Sequence, residues 1–316
     1  FRRVLFRSML VHGFRDVIGS FQLLDPERGT KFSGVTTTTL ESVRVIEDGA
    51  VRTVVEAVFG YGDSYICQTY RLPKHGTELG VQVRVYWQEK SKLLKLSVPT
   101  VITEAKYLGQ VAYGVEALPT DGQEVAAQKW VLATDEKRAV SVIGDGGYGS
   151  DCHEGEVRLT LLRSPAYCGH PVEERTIMPQ DRFSPRIDQG ERLFTFWVNA
   201  GPASERRTAI DREALVHNEK PFALSFFPSG LGRQLQSLVQ LTDSVVQVTA
   251  FKKAEDGDDF IVRLFNPTDA ARRTTLKIPQ LDLEQELSLS AFEIKTYRLD
   301  AAGKLREQDL LERELS

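Results

Sequence analysis

The stretch Leu79-Gly-Val-Gln-Val-Arg-Val-Tyr-Trp87 alternates without a break, with Leu79, Val81, Val83, Val85 and Trp87 on one side of an extended chain and Gln82 and Arg84 on the other. A helix would scatter these five apolar side chains around its circumference. A strand with one buried face gathers them, and this period constrains the chain more than any other feature. It recurs over 51–59, where Val51, Thr53, Val55, Ala57 and Phe59 share a face. Further strands are expected at 92–98, 111–116, 139–143, Glu156–Arg163 and 193–199. So many strands with almost no helical periodicity between them predict antiparallel sheets stacked as a sandwich.

The pattern changes once, near Gly201-Pro202. Ser204 is a candidate cap for a helix through Arg207 and Ile210 to Val216, with Glu205 near its start, and Asn218, Pro221, Pro228 and Gly230 break it. Strands resume at 244–251, Phe260–Phe265, 274–278 and 287–299, with a turn at Asp256-Gly-Asp-Asp. In the tail, Leu311 and Leu315 stand at helical spacing within 304–315. The expected organisation is a large β domain over 9–202, a helical connector over 203–222, a small β sandwich over 223–300 and a helical tail over 301–316.

The first eight residues, FRRVLFRS, stand apart: RRVLFRS is what a common sequencing-adapter oligonucleotide encodes when translated, so 1–8 is expected to be non-native. On that reading the natural protein continues upstream.

A formal net charge of −4 and a pI near 5.9 argue against nucleic acid or an anionic membrane as partner, because both need a basic surface. No apolar run approaches the roughly 20 residues that span a bilayer. Cys67, Cys152 and Cys168 are too few and odd in number for a disulfide framework, and favour a reducing, cytoplasmic compartment. The five histidines are scattered, with no H-E-x-x-H, Walker loop or G-x-G-x-x-G.

Between Asp145 and Pro171 lie two Cys/His pairs, Cys152-His153 and Cys168-x-His170. The segment between them, Glu156–Arg163, reads as one strand, which would hold the pairs roughly 25 Å apart at about 3.3 Å per residue. That is too far for one zinc, whose ligands lie within about 2.3 Å. Trp87, Trp130 and Trp197 read as core, and Glu89-Lys90 as a surface or interdomain ion pair.

Four stretches in order carry a family pattern: VRVYWQEKSKLLKLSVPT over 83–100, QEVAAQKWVLATDEKRAVSVIGDGGYGSDCHEGEVRLTLLRSP over 123–165, DQGERLFTFWV over 188–198 and FIVRLFNPTD over 260–269. Together they resemble the C-terminal half of the glycoside hydrolase family 38 α-mannosidases, across roughly 12–300. The resemblance implies an all-β fold, namely a large antiparallel supersandwich like that of galactose mutarotase followed by a smaller β sandwich. It also implies a retaining α-mannosidase whose zinc, nucleophile and acid/base carboxylate belong to an N-terminal catalytic barrel and bundle. None of the five histidines here is followed by Asp at the second position, the pattern of the family's early zinc-ligand pair. No catalytic or metal residue is therefore carried onto this chain. The expected partners are a mannose-containing glycan and the missing catalytic domain of the same chain.

Asp145, Tyr148, Asp151 and His153 sit in a Gly-rich stretch ahead of a strand, where carboxylates and an aromatic can line a cleft and hold a sugar. They are the candidate substrate-binding residues. On the other reading, Gly146, Gly147 and Gly149 merely permit a tight turn capped by Asp145 and Asp151. The rival to the family reading is a stand-alone carbohydrate-binding or mutarotase-like β protein beginning at Met9.

Overall fold

A computed structural model describes residues 9–13, 17–25, 27, 41–166, 185–222 and 237–315. The 1–8 segment and the second Cys/His pair, Cys168 and His170, lie outside them. The chain divides into two compact units, Phe1–Gln110 with Glu116–Arg206, and Val111–Val115 with Arg207–Ser316.

Up to residue 202 the strands are β1 Met9–His12, β2 Val17–Ser20, β3 Gln22–Leu23, β4 Val43–Asp48, β5 Arg52–Tyr61, β6 Ser64–Pro73, β7 Leu79–Trp87, β8 Leu93–Pro99, β9 Lys106–Val111, β10 Gly114–Leu118, β11 Val125–Ala126, β12 Trp130–Thr134, β13 Arg138–Gly144, β14 Gly149–His153, β15 Glu156–Arg163 and β16 Gly190–Pro202, all in the first unit but for Val111–Val115 where β9 turns into β10. They form a six-stranded sheet in the order β11-β14-β15-β8-β1-β2 and a ten-stranded sheet in the order β10-β9-β12-β13-β16-β7-β6-β5-β3, with β4 also on β5. One apolar cluster joins the two sheets: Val81, Val83, Val85 and Trp87 from β7 pack in the same core as Leu94 and Leu96 from β8 and Val157 and Leu159 from β15. The unit is a face-to-face sandwich, as the alternation predicts.

Burying a large apolar side chain stabilises by about 1.5–3 kcal/mol, so the β7 row alone is a major part of the core. Trp87 and Trp130 are buried as expected, whereas Trp197 is only half-buried. Glu89 ion-pairs with Lys92 at 2.6 Å rather than with Lys90, and its carboxylate accepts from Ser64 Oγ at 3.1 Å. The pair braces the β6 start within this unit and is no free surface pair.

The 111–116 run is two strands, not one. β9 and β10 meet at a tight turn over Ala112-Tyr113, where Tyr113 takes the left-handed backbone (φ 55°). At the β14–β15 hairpin the two turn residues Glu154 and Gly155 have φ of 49° and 77°, the twist that matches paired strands. A Cβ on Gly155 would stand 2.1 Å from the Ile102 carbonyl oxygen, so the position requires glycine.

The helix α1 runs over Ala203–Asn218, so Ser204 lies inside its first turn rather than capping it from outside. Glu205 near its start and His217 near its end complement the helix dipole.

The second unit holds β17 Gln240–Leu241, β18 Gln247–Lys253, β19 Phe260–Phe265, β20 Arg272–Ile278, β21 Leu283–Leu289, β22 Ile294–Leu299 and β23 Leu305–Gln308. A three-stranded sheet β17-β20-β21 and a four-stranded sheet β18-β19-β22-β23 enclose a core of Val246, Val262, Leu264, Leu276, Ile278, Leu289, Tyr297 and Leu299. Two expectations are corrected here. The 287–299 run breaks into β21 and β22 at a turn where Phe292 has φ 52°. The tail is not helical: Leu305–Gln308 pairs with β22 as an edge strand, because an extended chain satisfies the backbone groups that β22 would otherwise leave open.

Candidate functional site

Strand β15 shows how the site is built. Its alternation places Val157 and Leu159 in the core and turns Glu156, Arg158 and Thr160 to the outer face of the six-stranded sheet. On its neighbours, Asp151 of β14 stands opposite Arg158, and Lys95 of β8 stands opposite Thr160. Because directly opposed residues share a face, Asp151, Arg158, Thr160 and Lys95 converge outside the core. The β1 partner of Leu93 is His12, which brings His12 to the same face.

These side chains form a charge network. The Lys95 ammonium donates to Asp151 and to Glu124, while Arg158 Nε donates to Asp151 Oδ1 at 2.6 Å. Thr160 Oγ1 donates to the other oxygen of Glu124. Lys95 and Asp151 are 3% and 1% exposed, so both are buried charges, and each is paired as such a group requires.

The segment ahead of β11 roofs the network. Gly122 N–H donates to the Cys152 carbonyl at 2.9 Å, and Asp121 bridges to His153. Between roof and sheet lies a cavity of about 580 Å³ whose wall includes His12, Lys95, Asp121, Glu124, Asp151 and Arg158.

The four predicted residues are placed in two groups. Asp145 and Tyr148 lie in the turn that carries the chain from β13 in the ten-stranded sheet to β14 in the six-stranded sheet. Asp145 is exposed and its carboxylate accepts from Thr195 N–H at 3.4 Å, while Tyr148 is 63% exposed. Asp151 and His153, expected in a loop, are on strand β14: Asp151 is at the centre of the network, and His153 is exposed near the roof. The turn reading thus describes Asp145, but Asp151 caps nothing and instead holds Lys95 and Arg158.

Lys95, Glu124 and Arg158 were not among the predicted residues. The signal for Arg158 was its outward place in Glu156–Arg163. Lys95 was hidden in the apolar run Leu93-Leu-Lys-Leu, where an outward lysine between core leucines marks a polar face.

Cys152 faces the core and His153 faces outward, so neighbouring positions on one strand send the pair to opposite sides of the sheet. Burial raises the thiol pKa of Cys152, and pushes that of Cys67 up to about 12, so both are neutral thiols near neutral pH. Burial likewise raises the Tyr107 phenol, which donates to Ser150 Oγ at 2.7 Å in the core. Among the described residues no three His, Cys, Asp or Glu side chains converge as a metal site would need. The described residues do not fit a zinc ion.

Comparison with known proteins adds to this geometry. Residues 17–181 match the model of the glycosyl hydrolases family 38 C-terminal domain, and 245–315 match that of the family's C-terminal beta sandwich domain. The chain is similar to alpha-mannosidase G of Dictyostelium discoideum, 24% identical over 238 residues, covering 70% of this chain and 20% of that protein. Two solved structures from Enterococcus faecalis are similar in fold. An alpha-mannosidase from strain V583 matches with TM-score 0.71 and 14% identity over 93% of this chain and 38% of its own. A glycosyl hydrolase family 38 protein matches with TM-score 0.69 and 17% identity over 84% of this chain and 37% of its own. The chain thus spans about a fifth of the curated relative and under two fifths of either solved protein.

Proposed function

This chain belongs to glycosyl hydrolase family 38, and from that membership we propose that it is the noncatalytic C-terminal portion of a zinc-dependent retaining α-mannosidase. The carrying observation is that the two C-terminal family models match the chain in order, over 17–181 and 245–315, while the chain spans only 20% of its mannosidase relative.

A retaining glycosidase sets two carboxyl groups about 5 Å apart across the sugar, one as nucleophile and one as acid and base. Among the described residues, Glu124 and Asp151 share Lys95 in the cavity, and both Asp151 oxygens are taken by Lys95 and Arg158. A carboxylate so held is poorly placed to attack an anomeric carbon. The nucleophile, the acid and the zinc ligands are accordingly assigned to a catalytic domain outside this chain.

The role left to the large sandwich is support. Catalytic groups must be held to about 0.5 Å by rigid neighbours, and a sandwich with a continuous apolar core supplies a stiff wall that excludes water from one side of an active site. We assign glycan proximity to Asp145 and Tyr148, exposed at the β13–β14 turn, with Asp151 and His153 on the strand that follows. The test is to express the longer protein encoded by the upstream genomic DNA in frame with this chain. It should hydrolyse α-mannosides in a zinc-dependent way, and Tyr148→Ala should raise its KM. A longer protein that lacks a catalytic domain would refute the assignment.

A further inference from the structure

The cavity over the six-stranded sheet is built of charges that the fold itself does not explain. A buried ion network is weak evidence for stability, since well-packed apolar side chains serve a core as well or better. This network also lies outside the core, beneath a roof and open to a space of about 580 Å³, within the range of small-molecule sites.

Its hydrogen-bonding capacity is only partly used. Lys95 has three N–H donors and gives two, to Glu124 and Asp151. Arg158 has five and spends those on Nε and Nη2 that reach Asp151 Oδ1, at 2.6 and 2.5 Å. On the roof, Asp121 Oδ1 accepts from Gln123 N–H at 3.0 Å, and its second oxygen has no partner among the described residues. The wall therefore offers cationic donors and carboxylate acceptors side by side.

That pairing selects the ligand's chemistry. Two cations stand against three carboxylates, Asp121, Glu124 and Asp151, which leaves one net negative charge and disfavours phosphate or carboxylate ligands. The carboxylates do not converge as a metal site. A hydroxyl both donates and accepts, so two adjacent hydroxyls can bridge a carboxylate and an ammonium at once. Gly122 lets the roof come close: its φ of 87° suits glycine, and a Cβ there would meet Arg158 Nη2 at 3.3 Å.

We propose that this cavity binds a neutral, hydroxyl-rich ligand of one or two hexose units, with Asp121 and Glu124 accepting from its hydroxyls and Lys95 and Arg158 donating to them. The choice of mannose as the hexose rests on the α-mannosidase reading, whereas the preference for a neutral polyhydroxyl ligand rests on the cavity alone.

The test is amide NMR titration of the 316-residue chain with an α-linked mannobiose, with glucose and galactose disaccharides, and with inorganic phosphate. Mannobiose should bind saturably, with shifts around Gly122, Glu124 and Asp151. Glu124→Gln keeps the shape of a half-exposed side chain and should weaken binding about tenfold or more, while Glu136→Gln, exposed in the β12–β13 turn and outside the cavity wall, should leave it unchanged. Glucose or galactose disaccharides binding in place of mannobiose, with the same loss in Glu124→Gln, would uphold the cavity and count against the mannoside reading. No saccharide binding up to about 100 mM, equal binding in Glu124→Gln, or a preference for phosphate would overturn the proposal, and would leave the family assignment standing.

Discussion

Asp151 and Arg158 face each other across the β14–β15 pair, and Arg158 Nε reaches Asp151 Oδ1 at 2.6 Å while Lys95 donates to the other carboxylate oxygen. One buried carboxylate thus ties three adjacent strands together on the outer face of the sheet. Replacing it by alanine leaves the buried Lys95 and the largely buried Arg158 short of a partner. Breaking such a group from one side costs about 3–5 kcal/mol, so Asp151→Ala should lower the first unit's urea-unfolding free energy by about 3 kcal/mol. A loss below about 1 kcal/mol would mean that the network is hydrated and not buried.

Trp87 separates packing from hydrogen bonding. Its ring is fully buried in the sandwich core, yet its indole N–H has no hydrogen-bond partner among the described residues. Trp87→Ala should cost about 3–5 kcal/mol through the cavity it leaves. Trp87→Phe removes an unsatisfied donor along with part of the ring, and should cost well under half as much. Equal losses in the two variants, measured by urea unfolding, would indicate a hidden partner for the N–H.

Alkaline pH should weaken the fold through Cys67. Burial lifts this thiol from its ordinary 9.0 to about 12 in the folded chain. The unfolded chain therefore releases its proton first as pH rises, and the stability conferred by the neutral thiol is fully present below pH 9.0 and lost between there and about 12. The urea midpoint should fall from pH 8 to pH 10, and the fall should be smaller in Cys67→Ala. An identical slope in the two proteins would remove Cys67 as a cause.

Asn266 organises the second unit's turn chemistry. Its amide donates to the Ala270 carbonyl at 2.8 Å and the Ser290 carbonyl at 2.6 Å, and its oxygen accepts from Thr268 N–H at 3.1 Å. Asn266→Ala strands the buried Thr268 N–H and the part-buried Ala270 and Ser290 carbonyls, at roughly 1–3 kcal/mol for the buried group and less for the two that water can reach. The small sandwich should lose about 3 kcal/mol, read by hydrogen exchange on β19 and β22, with the first unit's exchange unchanged.

Much of the fold was legible because alternation is a direct record of a half-buried strand: β7, β15 and β19 have the ends expected for them, Leu79–Trp87, Glu156–Arg163 and Phe260–Phe265. Two runs read as single strands where a residue other than glycine takes the left-handed turn position. Ala112-Tyr113 and the stretch before Phe292 reverse the chain with tyrosine and phenylalanine in left-handed conformations, and such turns cost energy that only the paired strands repay. The site was half legible. Asp151 was singled out for its place near glycines, but its partner Lys95 and the Glu124 that shares that lysine lie 56 and 27 positions away in sequence, and register across three strands is what brings Lys95 to Asp151.

The central claim is that the catalytic groups lie outside this chain, and the most direct test is the hydrolysis of an aryl α-mannoside by the purified 316-residue protein with and without added zinc. The account predicts no turnover above the uncatalysed rate in either condition. Zinc-dependent, saturable hydrolysis by this chain alone would contradict it.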